Sequence, residues 1–190
     1  MHKLGIKKGE IALEIGFGTG HGIVAMAQAV GEAGRVYGID LSPRMLDITR
    51  ARVSKMGLLE RVNLEWGDAV QLPFAAAFFD AIFMSFTLEL FDTPEIPKVL
   101  GECLRVLRSG GRICVVSLSK AEGLNWMGKL YEWGHKTFPK VLDCRPIFVQ
   151  KALKDAGFQI LEATCSSLWG LPIETVVANK LSKSAETEGS

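Results

Sequence analysis

The chain is poor in the residues that most often build metal centres. Among 190 residues it holds three histidines (His2, His21 and His135) and four cysteines (Cys103, Cys114, Cys144 and Cys165). No two cysteines stand in CxxC spacing, and three scattered histidines are too few for a zinc cluster. Four free thiols and no bound metal are therefore expected. Cys103, Cys114 and Cys165 fall inside apolar, periodic segments and read as buried thiols. An excess of charge is also missing. Twenty-two basic residues face twenty-one acidic ones, a formal net charge of +1, which argues against a chain built to neutralise nucleic-acid phosphates. No apolar run reaches the roughly 18 residues that a bilayer span needs. The opening "MHKLGIKKGE" lacks the apolar centre of a signal peptide. The expected setting is cytoplasmic. What is present is an ordinary globular composition, 48% hydrophobic and 23% charged, long enough for one core.

Strand and helix patterns alternate along the chain. "EIALEIGF" is an apolar run closed by glycines and reads as a buried strand. A helix follows Gly20 up to Gly31 or Gly34, and "RVYGID" (35–40) is a second strand. Ser42 offers an N-cap and Pro43 an N1 residue for a helix that stops at Gly57. "RVNLEW" (61–66) and "FDAIFMSF" (79–86) are the next strands. After Pro94, the residues Ile96, Val99, Leu100, Cys103, Leu104 and Leu107 form one apolar helical stripe. Pro97 falls in the first turn, where a missing N–H costs little. The stripe predicts a helix running to "SGG" (109–111), followed by a strand at 112–117. A helix after Pro146 and two strand-like runs (158–166 and 172–179) complete the pattern. Together these imply a doubly wound α/β fold: a Rossmann-like seven-stranded sheet, mostly parallel, ending in an antiparallel hairpin strand. Residues 1–180 are read as one domain and 181–190 as a disordered tail.

In such sheets ligands sit at the carboxyl ends of the strands. There the stretch 12–22, "ALEIGFGTGHG", carries Glu14 and then Gly16, Gly18 and Gly20 at alternate positions. A nicotinamide-binding loop has the spacing GxGxxG and aims a helix N-terminus at a pyrophosphate. Here the spacing is GxGxG, and an acid beside a pyrophosphate would repel it. Glu14 suits an ammonium group instead, unless it merely braces the loop. Asp40, ending the second strand, has the chemistry to accept both hydroxyls of a ribose. Asp68 in "EWGDA", after the third, has the chemistry to accept from an adenine amine. Three acids buried at the ends of successive strands fit one ligand made of an amino acid, a ribose and an adenine, without phosphates. A nicotinamide-dependent oxidoreductase and a non-catalytic binding subunit of the same fold are the competing readings.

At these residues the chain resembles the class I S-adenosylmethionine-dependent methyltransferases, closest to the ubiquinone and menaquinone biosynthesis group. The stretches "ALEIGFGTGHG", "VYGIDLSPRML", "WGDAVQLPF", "FDAIFMSFTLELF" and "LGECLRVLRSGGRICVV" carry it, over about residues 9–117. The resemblance implies S-adenosylmethionine as cofactor and a small-molecule acceptor, quinone- or phenol-like. It implies that Glu14, Gly16, Gly18 and Gly20, with Phe17 and Thr19 of the same loop, hold the methionine end. Asp40 would take the ribose, with Leu41 and Met45 flanking the adenine and Gly67, Asp68 and Ala69 at its edge. Ser85 and Phe86 would lie beside the sulfonium.

The acceptor side carries fewer signals. Transfer to a phenol or a carbon nucleophile needs a base. His135, with Tyr131 one turn before it, is the candidate pair in the aromatic segment 118–145. A structural histidine is the plainer alternative. Trp126, Tyr131, Trp133, Phe138 and Phe148 are read either as lining an apolar acceptor pocket or as packing on the sheet. Members of the resembling family usually carry a longer segment ahead of the first strand that covers the cofactor. The expectation here is that 118–145 forms a partly helical lid, with a homodimer contact as the alternative cover.

Overall fold

The computed structural model describes residues 2–118, 147–168 and 171–181. Its sheet has seven strands: β1 (Ile11–Ile15), β2 (Arg35–Asp40), β3 (Val62–Trp66), β4 (Phe79–Ser85), β5 (Leu107–Leu118), β6 (Phe158–Leu168) and β7 (Leu171–Lys180). Their order across the sheet is β3-β2-β1-β4-β5-β7-β6. The first five strands run parallel, while β7 is antiparallel to both β5 and β6. This is the doubly wound sheet with a C-terminal hairpin that the pattern predicts. The strand order reverses between β1 and β4, so a crevice opens at their carboxyl ends.

Helices cover both faces. α1 (His21–Val30) and α2 (Pro43–Lys55) belong to one apolar cluster, in which Ile23, Met26 and Val53 pack with Ala12, Ala81 and Cys114. α3 (Ile96–Val106) and α4 (Val149–Asp155) belong to the other, in which Val99, Leu100 and Leu153 pack with Leu13, Ile82 and Val115. Alternate residues of β1 and β5 thus serve opposite faces, as the period of two in a strand requires. α2 starts as its residues predict: Ser42 is extended, its hydroxyl accepts the Met45 N–H at 3.4 Å, and Pro43 occupies the first turn. No helix among the described residues is long and apolar enough to cross a membrane.

Three sequence expectations need correction. The helix after Pro94 ends at Val106, and β5 begins at Leu107 rather than at Arg112. Leu107 continues the apolar period, but it is extended and pairs with Phe79. Its side chain is fully buried in the cluster beneath α3, so burial satisfied two periodicities there and pairing chose between them. The register then shifts between Phe79 and Ala81, with Gly110 at positive φ inside the irregular stretch. Cys103 and Cys114 are buried, but Cys165 is exposed, because β6 is the outer edge of the sheet and pairs on one side only. Of the three strand-end acids only Glu14 is buried; Asp40 is half-buried and Asp68 exposed. Asp40 ends β2 and Asp68 lies just past β3, both on the open crevice, whereas Glu14 lies one residue before the end of β1. Among the described residues no group of histidine, cysteine and acidic side chains has the geometry of a metal site.

Candidate functional site

The loop between β1 and α1 is built by glycines for two separate reasons. Gly16, Gly18 and Gly20 all have positive φ, at 70°, 49° and 78°, a conformation that costs a residue with a Cβ roughly 1 kcal/mol or more. Two of them are also closed in by neighbours: a Cβ on Gly16 would come within 2.4 Å of Thr87, and one on Gly20 within 2.5 Å of Thr49. Gly18 differs, since a Cβ there would meet nothing within 4 Å. Its missing side chain leaves space in the crevice instead of making room for protein.

Glu14 lies on the α1 side of the sheet. Its carboxyl group fills the place of a Cβ on Gly22, whose ideal position is 2.1 Å from Oε1. Glu14 is 3% exposed, and Oε2 has no hydrogen-bond partner. A loop-bracing acid would have both oxygens occupied, so bracing does not account for this one. Burial, reinforced by the charge of nearby Asp40, pushes its carboxyl up to about 8. A buried carboxyl without a partner is costly, and the cation or donor that would relieve it must come from outside the described residues.

Asp40 has a different environment. Its Oδ2 accepts the Gly18 N–H at 2.9 Å and its Oδ1 accepts the Ser42 N–H at 2.9 Å. One carboxylate therefore ties the glycine loop to the start of α2, and each oxygen retains lone pairs for a further donor. The loop is also held from α2: Thr49 donates to the Gly18 carbonyl at 2.8 Å, and the Arg52 Nε donates to the Thr19 carbonyl at 2.7 Å. Asp68 accepts the Val70 N–H on Oδ1 at 2.9 Å, leaving Oδ2 for another donor.

Two adjoining cavities share Gly16, Gly18 and Ser85. The larger, of about 430 Å³, brings together Asp40, Leu41, Met45, Gly67, Asp68, Ala69 and Phe86. The smaller, of about 370 Å³, contains Glu14, Phe17 and Thr19. The cofactor-site residues expected from the sequence thus lie on one of the two cavities, except Gly20, which is packed against Thr49 instead. Residues that the sequence reading passed over are Thr87, Leu90, Phe91 and Glu95 on the larger cavity, and Thr49 and Arg52 behind the loop. The first four follow β4 directly, so the carboxyl-end rule contained the signal for them. No local signal exists for Thr49 or Arg52, which reach the loop from 31 and 33 residues away.

Phe86 is held at φ 52°, an uncommon conformation for a bulky residue that costs about 1–3 kcal/mol. Its N–H donates to the Val116 carbonyl at 2.8 Å, which fixes the strained backbone at the cavity wall. Phe148 lies elsewhere, on a groove with Ile96, Pro97 and Ala152. Tyr131, His135, the other aromatic candidates Trp126, Trp133 and Phe138, Cys144 and the lid at 118–145 lie outside the described residues, apart from Leu118 itself.

The arrangement fits S-adenosylmethionine on observations independent of any motif. A buried carboxyl without a partner is available to an ammonium, Asp40 beside the same glycine loop keeps lone pairs for a further donor, and an apolar cleft edged by Asp68 adjoins them. Known proteins bear on the same point. The profile of a family described as the methyltransferase domain matches residues 12–111. A demethylmenaquinone methyltransferase from Lactobacillus johnsonii is 34% identical over 118 residues, 62% of this chain and 48% of the relative. One from Staphylococcus aureus is 37% identical over 120 residues, 63% and 48% of the two chains. The chain thus spans about half the length of these curated relatives. The crystal structure of a SAM-dependent methyltransferase from Aquifex aeolicus superposes with a TM-score of 0.74 at 24% identity, covering 95% of this chain and 87% of the other. That likeness shows the shared fold.

Proposed function

Because this chain belongs to the methyltransferase domain family, whose profile spans more than half of its 190 residues, we propose that it transfers a methyl group from S-adenosylmethionine to a small aromatic acceptor of the quinol class. The observation that carries the cofactor assignment is the buried, unpartnered Oε2 of Glu14 beside the glycine loop. The names of the relatives support the quinol acceptor. The apolar wall formed by Phe86, Leu90 and Phe91 suits such a ring. When bound, S-adenosylmethionine supplies an electrophilic methyl group on a cationic sulfonium. Glu14 accepts the ammonium of its amino-acid end, and Asp40, held by the Gly18 and Ser42 amides, accepts the ribose hydroxyls. Leu41 and Met45 flank the adenine, while Gly67, Asp68 and Ala69 meet its edge. Ser85 and Phe86 border the reacting end, where the wall must hold the acceptor in line and keep water out.

A nicotinamide-dependent oxidoreductase would share the fold and the ribose acid. It would also lay a pyrophosphate against the loop that Glu14 underlies, and that group brings no ammonium for the unpartnered carboxyl. Calorimetric titration with S-adenosylhomocysteine and with NADH separates the two readings; binding of the first and not the second is expected. Asp40→Ala should weaken S-adenosylhomocysteine by about 1.5–3 kcal/mol, the scale of hydrogen bonds to a charged acceptor. Unchanged affinity in that variant would remove Asp40 from the site.

A further inference from the structure

The amino-acid end of S-adenosylmethionine carries a carboxylate as well as an ammonium, and no residue assigned above holds it. The smaller cavity, to which Glu14 belongs, is also lined by His21 and Gly22. His21 is the first residue of α1. Its neighbour Gly22 is the residue against which the Glu14 carboxyl rests, Oε1 lying 2.1 Å from the ideal position of a Cβ there. Chain adjacency thus sets His21 beside the unpartnered Oε2 of Glu14. Glu89, the other acid with a buried oxygen lacking a partner, accepts the Leu118 N–H through its second oxygen and lines neither cavity. Among the described residues lining the smaller cavity, no side chain other than His21 can carry a positive charge.

The imidazole is oriented from α2. A guanidinium nitrogen of Arg52 lies 3.3 Å from His21 Nδ1, while the Arg52 Nε donates to the Thr19 carbonyl at 2.7 Å. A guanidinium only donates, so Nδ1 accepts and the ring proton of the neutral imidazole sits on Nε2. That tautomer presents an N–H donor on the side of the ring turned away from Arg52. The start of α1 has the same preference: its cap residue Gly20 makes no side-chain bond, and the first amides of a helix have no acceptor within it, which favours an anion.

We propose that His21 binds the carboxylate of the cofactor's amino-acid end through Nε2–H, with Arg52 holding the ring in the tautomer this needs. The inference rests on the methyltransferase reading. In the ligand, ammonium and carboxylate share one carbon, so the groups that recognise them must also be neighbours. Glu14 and His21 meet that requirement through Gly22, whose missing side chain leaves the acid its place next to the histidine. The bond from Nε2–H to a carboxylate is charge-assisted and hence stronger than a neutral one. Together the two residues select a cofactor that is a complete amino acid and disfavour one that has lost its carboxylate.

The test is calorimetry with two ligands, S-adenosylhomocysteine and S-adenosyl-3-thiopropylamine, which keeps the amine and lacks the carboxylate. The wild-type chain should bind the first more tightly than the second. His21→Ala should weaken S-adenosylhomocysteine on the order of 10-fold, the lower end for a hydrogen bond to a charged group, because the ring lies at the exposed rim. The same variant should leave the affinity for the amine unchanged. His21→Gln, whose side-chain amide reaches the place of Nε2, should recover most of the loss. Unchanged S-adenosylhomocysteine affinity in His21→Ala overturns the proposal. An equal loss for both ligands overturns it as well, since His21 would then act by bracing the loop. A wild-type chain that binds the two ligands equally overturns it with no variant needed. If the wild type binds neither ligand, the methyltransferase reading fails and this inference falls with it.

Discussion

Glu14 is the residue whose surroundings differ most from what its charge requires. Its carboxyl is raised to about 8 from an ordinary 4.5 by burial and by Asp40, so at neutral pH the ligand-free protein holds it mainly as the neutral acid. A bound ammonium reverses that preference and expels the proton. Affinity for S-adenosylhomocysteine should therefore rise as pH increases from about 6 to 8, and Glu14→Gln should flatten the dependence. Stability has the opposite slope. Between 4.5 and 8 the folded chain retains a proton that the unfolded chain has released, so the ligand-free protein loses stability as pH rises through this window. Glu89, raised as well, acts in the same direction. The contribution of Glu14 is thus the difference between the wild type and Glu14→Gln in thermal melts at pH 5.5 and 8. A difference that does not change with pH would count against it. Glu14 and its distance from the glycines were legible in sequence because they are adjacent in the chain. Glu89 was not, since the amide that its carboxyl accepts from, that of Leu118, lies 29 residues away.

At the scale of elements, the glycine loop is held as much by α2 as by the strand and helix it connects. Thr49 is fully buried in α2; its hydroxyl supports the Gly18 carbonyl, and its side chain fills the place that a Cβ on Gly20 would need. Thr49→Val keeps the shape and removes the donor. It should cost about 0.5–1.5 kcal/mol of stability in urea denaturation, the scale of one hydrogen bond at a partly buried carbonyl, and it should weaken S-adenosylhomocysteine. Loss of stability with no loss of affinity would mean that α2 supports the fold and not the site. The ends of α2 were readable from Ser42, Pro43 and Gly57 because caps are local chemistry. The end of α3 was not, because Leu107 fits both a helical stripe and a strand, and only its pairing with Phe79 distinguishes them.

Across the whole molecule, the edge of the sheet opposite the cleft is fastened by a long-range clamp. Arg112 of β5 donates to both carboxylate oxygens of Glu10, at 3.0 and 2.7 Å, and to the carbonyls of Leu4 and Gly5. It thereby joins the segment before β1 to a strand more than a hundred residues later. Burial alone would raise the Glu10 carboxyl, but the Arg112 hydrogen bonds and charge, with the Lys7 amide, hold it below the usual range. Both side chains are mostly shielded from water, 18% and 16% exposed, so the pair is worth more than a surface one. Arg112→Ala strands the Glu10 carboxylate and two carbonyls, and should lower stability by about 2–4 kcal/mol. Affinity for S-adenosylhomocysteine in the folded fraction should be retained, because the clamp and the cleft lie at opposite ends of the strands. A matching collapse of affinity would show that the clamp sets the geometry of the cleft.

The alternation of apolar runs, the caps and the spacing of Glu14, Asp40 and Asp68 were enough by themselves to determine the doubly wound sheet and the chemistry of its ligand. Each is a relation between residues close in the chain, or between residues that the carboxyl-end rule brings to one edge. Only the tertiary structure decided which acids are buried, because desolvation depends on what other segments deposit over a side chain. Asp40 and Asp68 share the edge with Glu14, yet Glu14 alone is enclosed, beneath α1 on β1. The same holds for Cys165, apolar by context but exposed because β6 has a neighbour on one side only. Periodicity states which face a residue takes, and the position of its strand in the sheet states whether that face is covered.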